Sequence, residues 1–217
     1  MEIETYHLGE LQTNCYLIYD NEEVIVIDPA EDGAFIAEKI HEKGLILKAI
    51  IATHGHFDHV LGAGELQMIL PAPFYVHEND KFLLKDVNSS AKFWLKREFK
   101  NPLPTDIKFL KEGDEISFGN YSLEVIETPG HAPGSVCLVL SSVDEHRTSD
   151  TQIVFTGDTL FNGAIGRYDF SYSSKEDLKT SIRKIFDKFS EETIAYPGHG
   201  EPTTLADEFS FKEWAEK

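Results

Sequence analysis

The chain has 217 residues, of which 41% are hydrophobic, enough for a single domain spanning 1–217 with a substantial core. Its 20 Lys and Arg stand against 38 Asp and Glu, a formal charge of −18, and that field repels phosphate backbones and anionic bilayers. Nucleic acid and membranes are thereby excluded as expected partners, which leaves a small molecule, with the oligomeric state open; part of the acidity suits divalent cations.

In chain order, Met1 to Thr5 has neither a basic region nor an apolar run of the kind that marks export, so a cytoplasmic location is expected. Cys15 to Tyr19 and Val24 to Ile27 read as a meander turning at Asp20-Asn21-Glu22. Asp32 to Lys43 has Ile36 and Ile40 one turn apart and Gly44 in the stop position, which predicts a helix. Lys48 to Ala52 is a buried strand, Leu61 to Leu70 a helix closed by Pro71, Phe74 to His77 a strand and Asp80 to Asp86 a helical stretch. The segment Asn88 to Asp106, with its aromatic and basic residues and two prolines, suits a lid or crossing. Glu115 to Phe118, Tyr121 to Glu127, Val136 to Leu140 and Ile153 to Phe155 read as strands, with Gly119-Asn120 as a hairpin turn and Ser141 to Gln152 as a polar loop. Ser173 with Glu176 resembles a capping box opening a helix that runs to Phe189, and Thr193 to Tyr196 is the last strand. Cys15 and Cys137 lie in apolar runs without Cys-x-x-Cys spacing and read as core residues in a reducing compartment. Two strand groups, each followed by helices, fit two sheets packed face to face with helices outside.

The chemistry concentrates in His54-Gly55-His56-Phe57-Asp58-His59, at the end of a predicted strand. Three imidazoles and a carboxylate in six residues are what zinc, iron or manganese take when catalysis needs exchangeable water. Gly55 lets the backbone turn tightly so that alternate side chains converge, and Phe57 is expected to point into the core. One loop cannot complete a two-metal site, and further donors stand at other strand ends: His131 in Thr128-Pro129-Gly130-His131, Asp158 in Thr156-Gly157-Asp158-Thr159, and His199 in Pro197-Gly198-His199-Gly200. His41 reads as a helix-surface residue, His146 as a loop residue, and His7 and His77 as strand-end residues.

In this order the motifs resemble the metallo-β-lactamase superfamily from about Thr13 to Thr204. The resemblance implies an α+β fold, the αββα four-layer sandwich, and two divalent ions, zinc first, with iron or manganese as options. It places His54, His56 and His131 on one metal, Asp58, His59 and His199 on the other, and Asp158 between them. Asp28 resembles the aspartate beneath such sites that orients the ligand loop. A hydroxide shared by two metals would attack a carbonyl, with Asp58 as the catalytic residue that orients it and shuttles its proton.

Around Asp158, the runs Gly157 to Phe161, Gly166-Arg167-Tyr168-Asp169-Phe170 and Pro197 to Thr204 look like short bacterial glyoxalase II-like proteins, the hydroxyacylglutathione hydrolase type. That implies hydrolysis of a small thioester or ester, with Arg167 as a substrate-binding residue that either takes a substrate carboxylate or pairs with Asp169. The alternatives are a mononuclear iron persulfide dioxygenase, which shares the Gly-Arg-x-Asp-Phe feature, a lactonase-type hydrolase and, last, a non-enzymatic metal-binding protein.

Overall fold

The chain opens on a strand that its composition does not announce. Strand β1 (Glu2–Leu8) pairs antiparallel with β2 (Thr13–Asp20) at the edge of a sheet, and its residues are exposed or half-buried, so no apolar run marks it. The structure is a computed structural model that describes residues 1–143 and 152–217. It divides into two compact units, Met1–Leu110 and Lys111–Lys217.

In the first unit β3 (Glu23–Ile27) closes the expected meander on β2 and then runs parallel to β4 (Ile46–Ile51), which runs parallel to β5 (Phe74–His77), itself parallel to β6 (Ile107–Leu110). The order is β1-β2-β3-β4-β5-β6. Parallel neighbours need helical crossovers. The first is α1 (Gly33–Glu42), whose Asp32 side chain accepts the Phe35 N–H at 2.9 Å and whose chain reverses at Gly44, φ +67°. Ile36, Ala37 and Ile40 face the core, as their spacing requires.

The predicted helix from Leu61 to Leu70 is α3 (Ala63–Ile69), and a short helix that was not expected, α2 (Phe57–Val60), precedes it. The break falls at Gly62 because the backbone there is pressed against α1: a Cβ on Gly62 would lie 2.9 Å from Gly33 N and from Pro29 O, and one on Gly33 would overlap Gly62 O. Between them Ala30, at φ +51°, donates its N–H to His59 O (3.1 Å) and accepts from Gly62 N (2.6 Å). The expected helical stretch Asp80 to Asp86 is a 3-10 turn at Glu78–Asp80 running into α4 (Lys81–Lys85). The segment expected as a lid instead begins with a helix, α5 (Val87–Leu95); Val87 and Ala91, four apart, bury one stripe, while Phe93 and Trp94 point outward and obscure the period.

In the second unit β7 (Glu115–Phe118), β8 (Tyr121–Glu127), β9 (Val136–Ser142), β10 (Ile153–Gly157), β13 (Ile194–Pro197) and β14 (Thr203–Thr204) form a sheet of order β14-β13-β10-β9-β8-β7. Among the described residues, only β10 and β13 pair parallel within it. Their crossover holds a small hairpin, β11 (Leu160–Phe161) with β12 (Ala164–Ile165), and α6 (Lys175–Lys188). The α6 cap is Ser174, not Ser173: Ser174 Oγ accepts the Asp177 N–H at 3.2 Å, while Ser173 Oγ donates to His131 O at 2.7 Å. Leu178, Ile182, Ile185 and Phe186 bury the inner stripe of α6, worth roughly 1.5–3 kcal/mol per side chain. A last helix, α7 (Phe209–Glu216), lies against α6, with Trp214 and Ala215 in that cluster. His146 and most of the polar loop lie outside the described residues, although β9 extends to Ser142.

Candidate metal-binding residues

In the first unit the donors sit at the carboxyl end of β4. His54 Nε2 and His56 Nδ1 are 2.9 Å apart, and the His54 and His59 rings lie 4.1 Å centroid to centroid. His59 Nε2 is 3.6 Å from Asp58 Oδ2, and Thr13 Oγ1 donates to that same oxygen at 3.4 Å. His54 and His59 are buried, whereas Asp58 is half-buried.

Asp28 holds this loop in place. It follows β3, is fully buried, and accepts three hydrogen bonds: Thr53 N at 2.7 Å, Thr53 Oγ1 at 2.8 Å and His59 Nδ1 at 2.9 Å. Because a carboxylate only accepts, His59 carries its proton on Nδ1 and turns Nε2 toward Asp58. Asp80 is a second buried carboxylate under the loop, one that no sequence motif singles out; its Oδ2 accepts the Gly55 N–H at 2.8 Å. Gly55 is required there by space and not by a left-handed turn, since a Cβ would stand 2.9 Å from Asp80 Cβ and 3.0 Å from Leu83 Cβ. The available signal was an aspartate three residues past the end of a strand, weak on its own. Phe57 points into the core, as expected.

In the second unit His131, Asp158 and His199 also follow strands. His131 Nδ1 donates to Arg167 O at 2.9 Å, leaving Nε2 at 3.4 Å from Asp158 Oδ2, while Asp158 Oδ1 is 3.8 Å from His199 Nε2. Gly130, at φ +142°, brings the backbone onto α6 so closely that a Cβ would overlap Leu178. Gly166 is as constrained: its Cβ would overlap Asp158 O and reach 3.0 Å from His131 Cβ. The small hairpin thus leaves Asp158 and returns to it, delivering Arg167 O to His131. Each set pairs carboxylate oxygens with an imidazole whose Nδ1 is already bonded, which is how proteins prepare histidine for a divalent cation. The donors fit such an ion.

Arg167 pairs with Asp169, Nε to Oδ1 at 2.8 Å and one terminal nitrogen to Oδ2 at 3.0 Å, and lies over Phe170 at 4.3 Å. The Asp169 hydrogen bond raises the guanidinium pKa, and Arg167 holds the Asp169 carboxyl below its ordinary value. Both are exposed, so solvent screening leaves the pair weak. His7 and His77 fall within β1 and β5 and His41 within α1, and none of them joins a donor cluster among the described residues; His7 Nδ1 bonds Asn14 Oδ1 at 2.7 Å and His77 Nδ1 accepts from Asn79 N at 3.2 Å. A cleft of about 450 Å³ in the first unit is lined by His7, Glu31, Arg97, Phe99 and Asn101 among others. Its cation, Arg97, is held by Glu31 at 2.8 Å and Glu10 at 3.2 Å. No helix among the described residues is long and apolar enough to cross a membrane.

Residues 8–199 match the family described as the Metallo-beta-lactamase superfamily. A hydroxyacylglutathione hydrolase, GloC, from Haemophilus influenzae is 34% identical over 210 residues, covering 96% of this chain and 95% of that protein. Among solved structures, the B3 metallo-beta-lactamase BLEG-1 superposes with a TM-score of 0.83 at 28% identity over the whole of both chains. TTHA1623, solved in a di-iron-bound form, gives 0.81 at 32% identity over 97% of this chain and 99% of that one.

Proposed function

The chain belongs to the metallo-β-lactamase superfamily and has its α+β fold, and from that premise we propose that it is a two-metal thioesterase of the hydroxyacylglutathione hydrolase type. The coarser statement, a metal-dependent hydrolase, rests on the family match and on GloC. The thioester reading is carried by one observation: GloC matches this chain along almost its whole length.

In this reading His54, His56 and His131 would hold one ion, Asp58, His59 and His199 would hold the other, and Asp158 would be a further ligand. The family match spans both sets of donors, which supports their acting within one functional domain, 1–217. Zinc is the first expectation. Iron suits the same nitrogen and oxygen set, as TTHA1623 illustrates for itself, and manganese is a third option. Two bound cations supply an acidified water and a Lewis acid for the carbonyl.

The remaining work belongs to side chains. Asp58, held by Thr13, takes and returns the proton. Asp28 and Arg167 O fix His59 and His131 in one tautomer. Arg167, in a weak exposed pair with Asp169, exchanges that partner for a substrate carboxylate at little cost. A thiolate leaves readily, so a thioester needs no strong general acid. A small-molecule substrate and a cytoplasmic setting fit the charge of −18 and the reducing context of two buried free thiols.

The test is metal analysis of protein purified without added metal, followed by S-acylglutathione hydrolysis, β-lactam and lactone hydrolysis, and oxygen uptake with glutathione persulfide. Two ions per chain with thioester turnover is the expected outcome. One iron per chain with oxygen uptake would replace this reading with a persulfide dioxygenase.

A further inference from the structure

We propose that Glu208, beyond the His199 loop at the start of the last helix, is the positioning residue that ties the Asp158 hairpin to that loop. It is 3% exposed and stands at the start of α7. Its carboxylate accepts the Gly163 N–H on both oxygens at 3.0 Å, and Thr203 Oγ1 donates to Oε1 at 2.7 Å. Gly163 is the turn of the β11–β12 hairpin, φ +72°, and Thr203 opens β14 immediately after the His199 loop.

The consequence comes from the groups that the two segments carry. The hairpin starts at Asp158 and ends at Gly166, whose backbone lies against Asp158 O and is followed by the carbonyl that orients His131. The His199 loop is bonded to the start of that hairpin by Gly198 N to Gly157 O at 2.8 Å. Glu208 supplies the short, buried tie at the other end, beside a longer exposed bond from Asn162 Nδ2 to Pro202 O at 3.4 Å, so the hairpin and the loop are fastened at both extremities and move as one piece. A buried carboxylate satisfied by neutral donors is a costly way to brace a surface helix. It is a reasonable cost where Asp158 and His199 must keep their spacing. Glu208 touches none of the donors and acts only through this spacing, so the inference rests on the two-metal reading for its functional consequence, though not for its structural one.

The test compares wild type with Glu208→Ala, Glu208→Gln and Thr203→Val. The first readout is amide hydrogen exchange of metal-free protein. The second is Zn²⁺ retained against increasing chelator. Glu208→Ala is expected to raise exchange in 158–166 and 197–204 together, with β7 to β9 unchanged, and to weaken one Zn²⁺ equivalent about tenfold or more. Thr203→Val should do both to a lesser degree. Glu208→Gln, which keeps one accepting oxygen for Gly163 and Thr203, should stay within about threefold of wild type.

Exchange that rises in only one of the two segments, or throughout the chain, overturns the tie. Exchange that rises in both with Zn²⁺ retention unchanged overturns the positioning role. Wild-type protein that retains no metal sinks the proposed function, and the exchange pattern still decides whether Glu208 couples the two segments.

Discussion

Asp28→Asn preserves the size of the side chain and removes only its capacity to accept at both oxygens. The backbone there is left-handed, φ +51°, a conformation asparagine tolerates as well as aspartate, so no new strain enters. The amide has two placements. With its oxygen in the Oδ2 position, the bonds from His59 Nδ1 and Thr53 Oγ1 survive, but the NH₂ faces the Thr53 N–H across 2.7 Å, donor against donor. With the oxygen at Oδ1, the Thr53 N–H is satisfied and its hydroxyl rotates to accept, but His59 must now accept at Nδ1 and carry its proton on Nε2. The first placement loses a charge-assisted bond, about 1.5–3 kcal/mol. The second gives up His59 as a metal donor.

In the first case urea denaturation of metal-free protein should show a loss of about 1.5–3 kcal/mol; in the second, chelator competition should show metal affinity falling about 10- to 100-fold. Nitrogen-detected NMR of the imidazole separates the placements. A variant with wild-type stability, wild-type metal affinity and an unchanged His59 tautomer would refute the view that Asp28 orients this residue.

Gly166→Ala drives a methyl into Asp158 O, so thioester turnover should fall by two orders of magnitude or more while far-ultraviolet circular dichroism stays native; wild-type activity would mean the hairpin is not fixed as described. Asp169→Asn removes the counter-charge paired with Arg167 at 2.8 Å, and KM for substrates bearing a carboxylate should drop several-fold with kcat unchanged. Because Asp169 is held below its ordinary pKa, the pair exists above that value and dissolves as pH falls through the lowered one; wild type should therefore approach the variant's KM in acid, and a KM flat with pH would count against competition for Arg167. Burial pushes the Cys137 thiol up to about 11 from 9.0, and the Cys15 thiol also rises by burial. Both should resist a thiol reagent at pH 8 until the chain unfolds. Stability tied to Cys137 is complete below pH 9 and is lost as pH rises toward 11, by roughly 1.4 kcal/mol per unit; rapid native-state modification would refute the burial argument.

Four of the seven candidate donors stand out in the sequence because they follow apolar runs, and strands bury such runs while exposing the residues beyond their ends. His54, His131, Asp158 and His199 all obey that rule. Elements whose signal is spread or mixed were less legible. β1 alternates between exposed and half-buried positions, β11, β12 and β14 are two residues long, and α5 hides a buried stripe behind two outward aromatics. The caps illustrate a finer limit. Ser173 and Ser174 are equivalent as sequence, and only the carbonyl of His131 decides which of them turns away from the helix. Asp80 and Glu208 escaped for a related reason: their partners are backbone N–H groups and a hydroxyl brought near by folding, which no local motif encodes.

The close approach of Ala30, Gly33 and Gly62 bears on how homologues of this chain should be read. Position 30 must be both left-handed and completely buried, and the other two have no room for a single carbon atom. In a saturation screen these three would rank with the histidines as intolerant, and in an alignment they would stand as invariant as any ligand, though none bears a group that reacts. An observer who ranked positions by invariance alone would draw the active site too large on this side. On the two-metal reading, removing metal would sort the columns: residues that hold ions would lose their purpose, whereas the seam that seats His59 would still be needed for folding.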